Sequence, residues 1–413
     1  MNLFMPQIIS ASLSPNTEAD DVLRALSMLC RPWQWKTGAS LDKIAKWFAN
    51  RYSGRKAVFF NSGRSSLLAI LESFGIGKND EVIVQAFTCV AVPNSVLWAG
   101  ATPVYADIDA TYNLDPVDVE KKITPRTRAI IVQHTFGIPA DLKQLIILAK
   151  KHKCILIEDC AHALGSTYDG APLGSYGDAA FFSFGRDKSV SSVWGGAAMI
   201  DPKYSDAVTR LKTYQEALPM PGVFWILQQI IHPVAFAVIL PLYRVGIGKL
   251  LLVTLQKLHL LSFPVFAVEK RGEKPRQFPA KYPNAMAYLL MVQLKKVDRY
   301  TLQRTGIAKR YVDSLKKSST TAPVYIPGAS YLRFTITVPD PALMRQKAKK
   351  YGILLGNWYN NIIDPVGVDL MEIGYQKGSC KNAERFAKTA LNLPTRISDN
   401  DADRVISFLH KEV

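Results

Sequence analysis

The sequence is short of cysteine and of acid. Its five cysteines, Cys30, Cys89, Cys154, Cys160 and Cys380, are odd in number and none forms a C-x-x-C pair. Neither a structural zinc site nor a disulfide framework is indicated, and a reducing cytoplasm fits. There are 34 Asp and Glu residues against 51 Lys and Arg, a formal net charge of +17. Such an excess favours anionic partners: phosphorylated small molecules, a membrane surface or nucleic acid. The basic residues are scattered, with no block of five or six and no nucleic-acid motif, which ranks nucleic acid last. The opening MNLFMPQIISASLSP has no basic segment ahead of its short apolar run and makes a poor secretory leader. One long stretch lacks charge altogether, because Ala217 to Tyr243 contains no Asp, Glu, Lys or Arg.

What is present is a chain of 413 residues, 48% hydrophobic, enough for a large core and about two domains. Ala57–Phe60, Glu81–Val84, Thr102–Tyr105, Ala129–Val132 and Cys154–Ile157 are short, mostly apolar and β-branched runs. Helical runs separate several of them, LLAILESFG, CVAVPNSVLWAG and about 141–152. That alternation predicts a parallel sheet with helices on both faces. In such sheets ligands gather beyond the carboxyl ends of the strands. Asn61, His134, Asp159 and the segment Ser183–Lys188 all fall at such ends.

The segment DAAFFSFGRDKSVSSVWGGAA, 178–198, draws these ends together. Phe181–Phe184 reads as a strand with a hydroxyl, Ser183, inside it, and Lys188 follows five residues later. A lysine just past a buried strand loses its proton readily, because desolvation disfavours the ammonium, and this suits Schiff-base chemistry. Taken alone, the same lysine reads as an ordinary loop residue. Upstream, the strand 57–60 runs through Asn61-Ser62-Gly63-Arg64-Ser65-Ser66 into a helix. That turn makes a ready anion site, to which Arg64 adds charge, although a serine-capped βα turn is the plainer interpretation. A phosphate cradle, a strand-end carboxylate (Asp159) and a lysine after a later strand match the needs of pyridoxal phosphate, whose ring nitrogen must stay protonated to draw electrons.

The blocks NSGRSSLLAIL, FTCVAVPNSVLWAGATPVYADID, HTFGIPADL, IEDCAHALGSTYDGAPLGSYGDAAFFSFGRDK and GGAAM resemble the pyridoxal-phosphate sugar aminotransferases of the DegT/StrS type, in the aspartate aminotransferase superfamily (fold type I). The resemblance runs from about 35 to 215 and resumes from about 282, closing on AERFAKTALNLPT and DADRVISFL. It implies a three-layer αβα large domain with a mostly parallel sheet, and a smaller α+β C-terminal domain. It also implies that Lys188 forms the Schiff base with the cofactor, that Asp159 pairs with the pyridine nitrogen, and that Ser183 and the Gly63, Arg64 and Ser65 turn bind the phosphate. His162 falls near the ring, where a packing role is the alternative, and His134 orients a loop. Asn284 falls where the family reaches a partner subunit's cofactor phosphate, and a homodimer with a shared active site follows. The acceptor expected is a nucleotide- or lipid-linked keto-sugar and the donor glutamate, for amino-sugar or polysaccharide biosynthesis. Cys89, Arg64, Ser189 and Trp194 depart from the family pattern: Cys89 replaces the usual stacking aromatic. The alternatives are another pyridoxal-phosphate reaction on a sugar or amino acid, and a non-catalytic relative acting as regulator or scaffold.

Residues 1–216 are thus expected to form the large domain and 282–413 the small one, with 217–281 as an apolar and basic insert. The uncharged run of 27 residues is long enough to span a bilayer as a helix, but Gln228, Gln229, His232 and Pro233 sit at its middle. A second run, Val245–Phe266, carries Lys249 and Lys257 on nearly one helical face, as an interfacial helix would. Burial in the protein, docking on the cytoplasmic membrane face, and spanning are the three readings. From Met286 to Leu315 one long helix is predicted, then strands at 331–338 and ILLGNWYN, and a final helix from Asp401.

Overall fold

The computed structural model describes residues 8–243, 245–316 and 324–412; most of the opening apolar run considered as a leader, residues 1–7, lies outside them. Seven strands form the main sheet: β1 (Val58–Phe60), β2 (Glu81–Gln85), β3 (Thr102–Ala106), β4 (Thr127–Gln133), β5 (Ile155–Asp159), β6 (Ala179–Ser183) and β7 (Gly196–Ile200). Their order is β1-β7-β6-β5-β4-β2-β3. Only β7 runs against its neighbours, β6 and β1; the other pairings are parallel. Each parallel strand therefore ends on the same edge, and that edge carries Asn61, His134, Asp159 and Ser183.

The strands are buried on both sides, so their residues alternate between two cores. Ile83, Ile130, Leu156 and Phe182 enter one, Val82, Ile131, Ile157 and Phe181 the other. Helices α1 (Ala19–Leu29), α2 (Ser40–Arg51), α3 (Gly63–Ser73), α4 (Ala91–Trp98), α5 (Pro116–Lys122), α6 (Leu142–His152) and α7 (Ser205–Ala217) accompany them. The insert holds α8 (Val223–Leu242) and α9 (Ile247–Lys257), followed by α10 (Asn284–Leu294) and α11 (Val297–Leu315). Beyond it come α12 (Pro341–Lys350), α13 (Lys381–Thr389) and α14 (Asp399–Glu412).

The C-terminal half departs from the periodicity in instructive ways. The helix predicted over 286–315 is two helices, because the chain turns at Lys295 and Lys296. Lys296 is mostly buried there, its Nζ 3.0 Å from Asp21 and also paired with Asp20 and Glu18. Of 331–338, only Phe334–Thr337 pairs, antiparallel to Ala390–Leu393. Of ILLGNWYN, only Ile353–Leu354 is strand, parallel to Ile9–Ser10. The chain crosses between cores within α11: Tyr300 packs with the sheet, while Ile307, Tyr311 and Leu315 pack with Phe334, Leu391 and Phe408.

At Gly196 a β-carbon would stand 2.6 Å from the Gly63 amide nitrogen and the Ser62 carbonyl, all backbone atoms. Gly196→Ala is therefore expected to destabilise the protein by about 1–3 kcal/mol, read as a lowered Tm in calorimetry, with the first turn of α3 displaced.

Candidate functional site

The anion cradle is built by α3. Ser62 caps the helix in extended conformation, its Oγ accepting the Ser65 amide at 3.2 Å. Ser65 Oγ donates to Asn61 Oδ1 at 2.8 Å, and Asn61 donates to the Gln277 carbonyl at 2.7 Å. The serine hydroxyls are engaged within the turn, leaving the Gly63 and Arg64 amides of the first turn as donors to a ligand. A β-carbon at Gly63 would lie 2.9 Å from Ser183 Cβ and 3.2 Å from its Oγ. The absent side chain thus lets the Ser183 hydroxyl stand beside the helix N-terminus, a pocket of amide and hydroxyl donors that fits a phosphate.

Lys188 lies half-buried on the loop after β6, held by its carbonyl accepting from Asn16 Nδ2 at 2.7 Å. Its Nζ sits 4.7 Å from the centroid of the Trp358 indole. Burial pushes the Lys188 pKa down and the Arg333 guanidinium adds to this, while Cys89, Asp159 and Asp187 oppose. Asp159, at the end of β5, accepts the Ala161 amide at 2.9 Å. Burial raises its carboxyl to about 6, against the Ala161 hydrogen bond and the positive charge of Lys188. A buried carboxylate in need of a cation beside a lysine with a lowered pKa is the donor set that a protonated pyridine ring and an aldehyde require.

His162 is buried with its ring parallel to Phe136 and to Trp358, at centroid distances of 5.9 and 5.2 Å. Nδ1 accepts the Phe136 amide at 3.2 Å and Nε2 lies 3.4 Å from the Tyr359 hydroxyl. Burial, then the charges of Lys188 and Arg333, hold it well below the usual histidine range, so the ring is neutral. His134 faces away from this cluster: Nε2 is 3.1 Å from Glu158, and Nδ1 accepts the Ala140 amide. Cys89 is half-buried, in register with Asp364, and burial raises its thiol pKa against the pull of Arg64 and Lys188.

Two of the sequence candidates point elsewhere. The Arg64 guanidinium forms a buried ion pair with Glu269, donates to the Pro264 carbonyl at 2.9 Å, and lies over the Trp194 and Phe278 rings. Its side chain serves the insert; only its amide belongs to the cradle. Asn284 is 2% exposed, with Nδ2 donating to Gln34 at 2.7 Å and Oδ1 accepting from Ser40 at 3.0 Å. Both ends of its amide thus bond within its own chain.

Four residues absent from the sequence candidates complete the cluster: Trp358, Tyr359, Asp364 and Arg333. Arg333 is 1% exposed, its Nη1 donates to Ser12 Oγ at 3.1 Å, and its Cζ lies 4.0 Å from the same Trp358 ring as Lys188. Its Nε and Nη2 are buried without a partner. No sequence signal marks Arg333, which falls in phase with Thr335 and Thr337 on the polar side of the alternating run 331–338.

With this geometry in hand, the family model for DegT/DnrJ/EryC1/StrS aminotransferases matches residues 16–215 and 268–410. The chain belongs to that family. It is an aminotransferase, and the match omits residues 216–267, most of the insert. It is 28% identical over 429 residues to a GDP-perosamine synthase of Caulobacter vibrioides, covering 98% of each chain. It is 32% identical over 335 residues to an L-glutamine:scyllo-inosose aminotransferase of Streptomyces griseus, covering 78% of this chain and 70% of that one. The fold superposes on S. venezuelae DesV with a TM-score of 0.75, at 25% identity and 98% coverage of both. The expected family and the α/β fold with a mostly parallel sheet are thereby established.

The raised Asp159 pKa carries a stability consequence. Its folded-state contribution is full below the ordinary carboxyl pKa and is lost as pH rises through about 6. In cofactor-free protein at about pH 8, Asp159→Asn should therefore stabilise by up to about 3 kcal/mol. Thermal scans across pH should show the gain shrinking toward about pH 5, while cofactor affinity falls.

Proposed function

We propose that this aminotransferase takes an amino group from glutamate and places it on the keto carbon of a sugar carried on a nucleotide or a lipid. It would act in the cytoplasm as a homodimer with a shared active site, in amino-sugar or polysaccharide biosynthesis. The observation that carries the reading is the convergence of Lys188, Asp159, Ser183 and the α3 N-terminus on one sheet edge. Pyridoxal phosphate, when bound, supplies a ring that withdraws electrons from an amine bonded to it. The residues of the chain do the rest. Ser183 and the Gly63 and Arg64 amides would hold the phosphate, and Asp159 would keep a proton on the ring nitrogen. Lys188 Nζ, with its proton loosened by burial, can hold the aldehyde and later accept and return a proton at the substrate carbon. Trp358, not residue 89, supplies an aromatic face beside Lys188.

Arg333 would read the donor. Nε and Nη2 form one edge of the guanidinium fork, and both lack partners; a carboxylate accepts bidentately from that edge. Asp187 and Asp364 offset part of the charge without bonding to that edge, which leaves it open to an amino acid with its α-carboxylate free.

Two measurements check this. Wild-type protein loaded with pyridoxal phosphate should show the visible absorbance of a lysine-bound pyridoxal, bleached by glutamate, and Lys188→Ala should not. Protein that stays colourless, or ignores every amino donor, would leave the scaffold reading. Arg333→Gln should raise KM for glutamate by about tenfold or more, as loss of a charge-assisted pair would, with KM for the sugar unchanged.

A further inference from the structure

The α8–α9 hairpin presents an uncovered apolar face. Helix α8 turns Ile226, Ile230, Phe236 and Ile239 inward, against α1, α9 and α10. Its opposite stripe, at helical spacing, leaves Phe224 and Val238 in solvent. Helix α9 continues it: Leu250 is 68% exposed and Leu258 is 61%, and Phe263 follows them onto the surface. A monomer in water places charged side chains on such stripes; here the outward stripe of α8 is largely apolar, and α9 sets exposed leucines beside Lys249 and Lys257. The covering partner must account for that.

Charge decides which partner. No Asp or Glu occurs from Ala217 through Val268, while Lys249 and Lys257 are exposed on α9, and Lys274 and Arg276 are exposed just beyond, where Arg271 is paired with Glu273. A second copy docking about a two-fold axis would set this patch against itself, lysine toward lysine, with no carboxylate in the helices to pair them. An anionic lipid surface offers hydrocarbon to the apolar stripe and phosphates to the cations. Spanning is excluded by packing. Although α8 is long and apolar enough to cross a membrane by length and composition, one face lies on the body of the protein. There His232 bonds Ser14 at 2.9 Å and Gln229 accepts from Ser262 at 2.8 Å.

The hairpin is also tied to the site. Ser262 accepts from Trp194 Nε1 at 3.1 Å and from Arg186, two residues before Lys188, while Glu269 pairs with Arg64 at the start of α3. We infer that α8 and α9 seat the enzyme in the plane of an anionic phospholipid surface, with its active site held beside the bilayer. This docking is independent of which sugar is aminated.

The test uses the full-length, cofactor-loaded protein in flotation with vesicles of phosphatidylcholine alone and of phosphatidylcholine mixed with phosphatidylglycerol. Wild type should float with the anionic vesicles, and high salt should weaken this. Leu250→Asp with Leu258→Asp should abolish flotation while keeping the cofactor absorbance, which reports the fold. Lys249→Glu with Lys257→Glu should weaken binding on the order of tenfold or more. Wild type that stays with neither vesicle overturns the inference. So does a dimer, seen in sedimentation, that the Leu250→Asp and Leu258→Asp change splits into monomers, since the face would then belong to a second copy.

Discussion

The structure depends on one close approach of backbone to backbone. Strand β7 passes the first turn of α3 so tightly that Gly196 has no room for a β-carbon, and Gly63 has none against Ser183. Glycine at both positions lets the helix N-terminus, with its unpaired amides and positive dipole end, stand over the carboxyl edge of the sheet. Everything that binds at that edge is placed relative to this contact. The sheet order, with β7 reversed between β1 and β6, brings the two glycines together from segments more than a hundred residues apart.

Burial is the second organising effect, and it acts in opposite directions on the two kinds of group. It lowers the Lys188 pKa, raises that of Asp159, and leaves half of the Arg333 fork without a partner. Each of these opposes stability in the empty protein. Each is relieved by a matching ligand group: a protonated ring nitrogen for Asp159, an aldehyde that takes the neutral amine of Lys188, a carboxylate for Arg333. The neutral His162, stacked between Phe136 and Trp358, fixes the indole that both cations share. It acts as a packing element of the site.

The departures from the family pattern fall partly into one cluster. Arg64 and Trp194 look independent along the chain, yet they stack on each other and on the segment Ser262–Phe278 that closes the insert. An arginine in the phosphate turn answers Glu269, and a tryptophan before the glycine pair answers Ser262, Phe266 and Phe278. The insert and the altered cradle are therefore parts of one adaptation. Ser189 serves another purpose, its Oγ donating to the His162 carbonyl at 3.0 Å.

The sequence alone determined the local alternation of strand and helix through residue 160, because each element there is short, apolar and bounded by its own turn. Strands such as 155–159 and helices such as 142–152 appear within a residue or two of their periodicity. It also singled out Lys188, Asp159 and Ser183 together, since Asp159 and Ser183 end neighbouring strands and Lys188 lies on the loop that follows the second. Only the tertiary structure decided where long side chains point. Arg64 and Asn284 have many rotamers, and partners two hundred or more residues away, Glu269 for one and Gln34 and Ser40 for the other, chose among them. The break at Lys296 was equally hidden, because acids on α1 hold that lysine. Arg333 and Trp358 reach Lys188 by a fold that carries the C-terminal residues back over the sheet edge, a closure that no local pattern encodes.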